Sequence, residues 1–247
     1  MFKCSHLSKS FDGTRALVDV SVEFPQNGVT ALIGPNGAGK TTLLDILSGV
    51  RRPTAGHCLF GARNITQLHP YQVARLGVAR TFQDMRLITQ LSVLQNVLLA
   101  RPYQRGEALQ WAVTRFGVAE QEKRNQDAAI GILATVGLRE VCGTRAGELS
   151  YGQQKLLTFA CCIASGATAI LFDEPVSGLA PNMIQQMLAL IEGQKREGKC
   201  IIVVEHDIEA VRQISDIVMV MNAGRVIAVG HPTVVLNDPR FIETYLE

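Results

Sequence analysis

Residues 34–41 read Gly34-Pro35-Asn36-Gly37-Ala38-Gly39-Lys40-Thr41, an order of residue types suited to holding a phosphate. Glycines at 34, 37 and 39 let the backbone curl until its N–H groups face phosphate oxygens. Lys40 then supplies a positive charge for the β- and γ-phosphates, and the Thr41 hydroxyl can ligate Mg2+. Residues from Thr42 to Leu47 read as a helix, whose positive N-terminal end would face the same anion.

A second group of chemical residues lies far along the chain. The apolar run Ala169 to Phe172 ends in Asp173-Glu174-Pro175. An acid at the carboxyl end of a buried parallel strand stands where α/β proteins bind ligands. Asp173 could hold Mg2+, directly or through water, and Glu174 could polarise an attacking water as general base. A third motif, Leu149-Ser150-Tyr151-Gly152-Gln153, precedes a helical run. Ser150 and the Gly152 amide at a helix start can bind a phosphate.

These residues need a scaffold that brings them together. Short apolar runs mark strands at Val29 to Ile33, Val78 to Thr81, Ala169 to Phe172, Ile201 to Val204 and Ile217 to Met221. A helix over Pro181 to Glu192 buries Met183, Ile184, Met187, Leu188 and Ile191 at a period of 3.6. Strands separated by helices predict a largely parallel α/β sheet. Residues 1–30 alternate instead, with turns at Asp12-Gly13 and Asn27-Gly28, predicting antiparallel strands. Asn222-Ala223-Gly224 predicts a late hairpin. Residues 87–160 read as a mostly helical segment whose charged stretch, Glu120 to Asp127, is a solvated face.

Composition narrows the classes. The 247 residues fit one large α/β domain or two small ones. Lys and Arg total 24 against 22 for Asp and Glu, a net charge of +2, which argues against a strong basic field for nucleic acid. No run approaches the ~18 continuous apolar residues of a bilayer span, and Met1 to Ser10 lacks an apolar signal core. The expectation is a cytosolic chain. Its six cysteines, at 4, 58, 142, 161, 162 and 200, contain no C-x-x-C spacing and read as buried thiols.

Taken in order, these motifs resemble those of ABC-transporter nucleotide-binding domains. Leu149 to Gln153 is similar to the family's L-S-G-G-Q signature, with Tyr151 in place of a glycine. The resemblance implies a P-loop NTPase (RecA-like) core with an N-terminal antiparallel β subdomain and a helical, signature-bearing subdomain. Residues 1–247 would then form a single ATPase domain, with about 1–86 and 161–247 as core and about 87–160 as the helical part.

It also implies site roles. Gly34 to Thr42 would cradle ATP, and Phe11 would stack on adenine. Gln83 would face Mg2+ or the attacking water, and His206 would touch the γ-phosphate. Ser150, Gly152 and Gln153 would meet the nucleotide of a second cassette, identical or paralogous. Ser177 to Ala180 lies where the family's D-loop carries an acid that is missing here.

Within the family, Ala79 to Leu87, the Ser150 to Gln154 form of the signature, the long helical segment from 83 to 149 and the tail Asp238 to Leu246 resemble ATPase subunits of branched-chain amino acid importers. Such a subunit would dock beneath integral membrane permeases on the cytoplasmic face of the inner membrane, with the groove for them at about residues 84–105. It would serve a substrate-binding protein indirectly, with no nucleic-acid partner. A cassette for urea, lipid, lipopolysaccharide or export shares the motor chemistry, and a soluble non-transport ABC ATPase is a further reading.

Overall fold

The computed structural model describes residues 1–82, 85–102 and 118–238. The chain divides into two compact units, Met1–Gln83 with Thr168–Glu247, and Asp84–Ala167.

The first unit holds two sheets. Strand β3 (Gly28–Ile33) lies at the centre of a six-stranded sheet with β6 (Val78–Arg80), β7 (Ala169–Asp173), β8 (Cys200–Val204), β9 (Ile217–Asn222) and β10 (Arg225–Gly230), in the order β10-β9-β3-β8-β7-β6. All neighbours are parallel except the β9–β10 hairpin. Every residue of β3, β7 and β8 is buried, which explains why these strands read as unbroken apolar runs rather than alternating ones. The period of two survives inside them. Leu32 packs in one core with Leu171, Ile202 and helix α1 (Lys40–Leu47), while Ala31 and Ile33 pack in another with Val218, Val220 and Val211.

The second sheet is antiparallel, in the order β2-β1-β4-β5, from β1 (Phe2–Phe11), β2 (Thr14–Phe24), β4 (Ala55–Phe60) and β5 (Arg63–Asn64). The alternation at residues 1–30 thus gives β1 and β2 as expected, and residues 55–64 add two strands that the sequence pattern did not single out. Cys4 and Cys58 face each other across β1 and β4, Sγ to Sγ 3.5 Å apart. The thiol of Cys4 is pushed up by its hydrogen bond with Cys58 and by burial. All six cysteines are free; Cys142 and Cys161 are half-buried rather than buried. They lie where their helical turns meet solvent.

Short helix α2 (Pro70–Arg75) joins the sheets, and α6 (Pro181–Arg196), α7 (Ile208–Ile214) and α8 (Pro232–Val235) follow β7, β8 and β10. In the second unit, the described helices are α3 (Val93–Ala100), α4 (Val118–Thr135) and α5 (Tyr151–Ala164). Charged residues of α4 from Glu120 to Asp127 face solvent, as read from the sequence. Among the described residues no helix is long and apolar enough to cross a membrane.

Candidate functional site

Three adjacent strands of the parallel sheet end on one edge. β3 runs into Gly34, β7 ends at Asp173, and β8 ends at Val204 ahead of Glu205 and His206. The pairs Leu32 with Val204 and Asp173 with Val204 set these ends level. Sequence-distant loop, acids and histidine therefore meet at the carboxyl edge, where open α/β sheets bind ligands.

The loop after β3 is built around backbone approach. At Gly34, φ is 148°, and a Cβ would stand 2.0 Å from the carbonyl oxygen of Met221, so no side chain fits. Gly37 has φ 81° and open space where its Cβ would be. The first is sealed against the sheet, and the second leaves a face on which a ligand can rest. The β9–β10 turn pins the loop from behind, because Gly224 N–H donates to Ala38 O at 3.1 Å. Gly39 caps α1, which begins at Lys40 with Thr41 and Thr42 in its first turn.

Lys40 is 6% exposed, and its Nζ donates to the carbonyls of Gly34 at 2.6 Å and Pro35 at 2.9 Å. Burial lowers the Lys40 pKa from its ordinary value, opposed by the negative charges of Glu174 and Asp173. The ammonium thus lies in the field of both acids and within reach of the phosphate cradle.

Asp173 is buried. Desolvation raises its pKa, Arg80 pulls it back down, and Glu174 and Asp45 push it up again. Its N–H donates to Thr81 Oγ1 at 3.1 Å, and Arg80 NH2 donates to its Oδ2 at 3.2 Å. The next residue, Glu174, has a left-handed backbone with φ 51°, a conformation that costs a non-glycine residue about 1 kcal/mol or more. Its N–H is held by Val204 O at 2.9 Å. That turn aims its carboxylate at His206, Nε2 to Oε1 3.0 Å. Hard oxygen donors at Thr41 and Asp173 fit a magnesium ion, and a cation there would relieve the desolvation of Asp173.

Phe11 ends β1 half-buried. Lys9 Nζ and the Arg51 guanidinium both lie 5.0 Å from its ring centroid. The ring is therefore a surface platform attractive to cations rather than part of the core.

Ser150 lies in the other unit and caps α5. Its Oγ accepts from Gln153 N–H at 3.3 Å, and its own N–H donates to Gln153 Oε1 at 3.0 Å. This reciprocal cap uses both side chains that the sequence marked for phosphate contact. Gly152 is buried in the first turn, and Tyr151 is 49% exposed. Gln83 and the tail beyond Asp238 lie outside the described residues, as does part of the groove segment 84–105.

Two groups beside the site were not marked from the sequence. Arg80 has a side chain only 4% exposed and contacts Asp45 as well as Asp173. Glu205 is 2% exposed and accepts the Val176 N–H at 2.9 Å, which ties the turn after β7 to the end of β8. Charged residues inside or directly after buried strands were the signal available for both.

The fold and this edge of the sheet define a P-loop nucleotide-binding protein. A family model described as "ABC transporter" matches residues 17–177. The chain belongs to the ABC transporter family, and it is an ATPase of that family. It is similar to the probable branched-chain amino acid transport ATP-binding protein LivG of Archaeoglobus fulgidus, 35% identical over 246 residues, 100% of this chain and 95% of that protein. It is also similar to the high-affinity branched-chain amino acid transport ATP-binding protein LivG of Salmonella typhimurium, at 36% identity over 97% of this chain and 95% of that protein. A solved ATP-binding cassette of an ABC transporter in its ADP conformation matches with TM-score 0.85 and 29% identity, covering 100% of this chain and 98% of the other.

Proposed function

We propose that the chain is the ATP-hydrolysing motor subunit of an importer for branched-chain amino acids. The observation that carries the motor reading is the single sheet edge that gathers the glycine loop, Lys40, Asp173 and the Glu174–His206 pair. The cargo is supported by relatives at 35% and 36% identity named for branched-chain amino acid transport.

In this reading the backbone of Gly34 to Gly39, with Pro35, Asn36 and Ala38, receives the phosphates, helped by the α1 N-terminus. Lys40 leaves the carbonyls of Gly34 and Pro35 for phosphate oxygens. Thr41 and Asp173 would hold Mg2+, with Gln83 as a further oxygen, and the bound ion would supply positive charge against the phosphates. Thr42 extends the hydroxyl-lined first turn. Glu174 takes the proton of the attacking water and His206 keeps that carboxylate in place. Phe11 stacks on adenine. Ser150, Gly152 and Gln153 present a helix start to the nucleotide of a second cassette, identical or paralogous, so a site is complete only in a pair. The pair works beneath integral membrane permeases at the cytoplasmic face of the inner membrane, fed by a substrate-binding protein.

The test is reconstitution of the chain with its co-purifying membrane proteins in vesicles holding Mg2+ and ATP, followed by leucine, isoleucine and valine uptake. ATP-dependent uptake abolished by Lys40→Ala supports both parts of the reading. Hydrolysis without uptake of these amino acids would retain the motor and discard the cargo. Nucleotide binding unaffected by Lys40→Ala would discard the phosphate assignment.

A further inference from the structure

The proposed metal site draws its two described protein ligands from separate elements. Thr41 is on α1 and Asp173 ends β7. A small, strictly octahedral ion such as Mg2+ tolerates little error in their spacing. Something must hold α1 and the end of β7 in register.

Arg80 bridges them from a third element, β6. Its NH1 donates to Asp45 Oδ1 at 2.7 Å and to Ser48 Oγ at 3.0 Å, both in the turns of α1 and its cap. Its NH2 donates to Asp173 Oδ2 at 3.2 Å. The guanidinium is also 4.8 Å from the Phe82 ring centroid. Its planar fork makes this possible, since one rigid group spans two acids in directions that a point-charge ammonium cannot reproduce. Asp45 is fixed in turn by Arg51 Nε on its other oxygen, at 2.8 Å. Arg80 therefore ties the helix that carries Lys40 and Thr41 to the strand end that carries Asp173, and it occupies only one of the two Asp173 oxygens.

We infer that Arg80 is a positioning residue for the metal site, setting the separation of Thr41 and Asp173 and leaving Asp173 Oδ1 for the cation. This rests on the metal roles proposed above for those two residues. Outer partners that orient a metal ligand typically account for about tenfold to a hundredfold in metal affinity.

The experiment uses the full chain, a non-hydrolysable ATP analogue and Mn2+, with free Mn2+ counted by electron paramagnetic resonance. Nucleotide binding without metal is followed separately by fluorescence. Arg80→Lys and Arg80→Gln are expected to raise the half-saturating Mn2+ concentration about tenfold, while metal-free nucleotide binding stays within about twofold. Asp45→Asn, which keeps Arg80 but removes its charged anchor on α1, covers the case in which an Arg80 variant fails to fold, and shifts Mn2+ in the same direction. A half-saturating Mn2+ within about twofold of the parent in the folded variants overturns the inference. Asp173→Asn separates the two layers. If it shifts Mn2+ and the Arg80 and Asp45 variants do not, only the inference fails. If Asp173→Asn also leaves Mn2+ unchanged, the metal assignment itself is wrong.

Discussion

His206 Nε2 stands 3.0 Å from Glu174 Oε1, and the two arrive there from the ends of neighbouring parallel strands. Asp173 pairs with Val204, so the residues just beyond each strand end are close by construction. The left-handed turn at Glu174 then swings its side chain toward the histidine. Glu174→Gln preserves size and the backbone turn but cannot accept a proton. It is expected to cut kcat about a thousandfold, as loss of a general base does, with nucleotide affinity within about threefold and an ATP-bound pair of chains accumulating on gel filtration. Retained turnover would remove Glu174 from the base role.

The same turn sets stability against activity. Alanine at 174 keeps the φ of 51° and its strain, whereas glycine accepts it freely. Glu174→Gly is expected to unfold about 1 kcal/mol less readily than Glu174→Ala, although glycine normally costs stability through its unfolded-state entropy. Urea melts of the two inactive variants measure the difference. Equal midpoints would mean that the strain relieved only matches the entropic cost of glycine, and a lower midpoint for Glu174→Gly would mean that the turn relaxes in the alanine variant.

Much of this edge was legible because its signals are local. Gly34 to Thr41 carries its own turn chemistry, and the hairpin at Asn222-Ala223-Gly224 forms with both central residues at positive φ. Strand ends could be read from the apolar runs, and parallel pairing then had to align them. What could not be read are contacts that depend on which strand lies beside which. Arg80 precedes Asp173 by 93 residues, and only the placement of β6 next to β7 makes it a neighbour. Cys4 and Cys58 meet for the same reason, through β1–β4 pairing. The reciprocal cap of Ser150 and Gln153 shows a different limit. One residue pattern serves helix initiation and phosphate contact alike, so the motif alone does not separate them.

Phe11 lies under two cations, Lys9 and Arg51, each 5.0 Å from the ring centroid. An adenine stacked on this ring gains a π-face and the nearby positive charges. Phe11→Ala is expected to weaken ATP binding about tenfold, in line with one lost base–aromatic stack, while kcat at saturation stays within about twofold. Phe11→Tyr should bind as the parent does. A titration with fluorescent nucleotide checks both, and unchanged affinity in Phe11→Ala would leave the ring only its cationic neighbours.

The strand that leads into the glycine loop has an anchor of its own. Asp216 accepts the buried Val29 N–H on Oδ2 at 2.9 Å and Lys195 Nζ on Oδ1 at 2.7 Å. Removing the carboxylate by Asp216→Ala leaves the start of β3 with a buried unpaired donor, a loss of about 1–3 kcal/mol. The Lys195 pKa is raised above its ordinary 10.5, first by the hydrogen bond that it donates to Asp216. A raised lysine stabilises the fold fully below that ordinary value and ceases to do so as pH climbs through the folded one. Because the pair is partly open to solvent, its share is no more than about 1 kcal/mol. Lys195→Met should therefore melt slightly below the parent near neutral pH, with the gap closing only above pH 10.5. Asp216→Ala should stay destabilised across the whole range, because the Val29 N–H does not titrate.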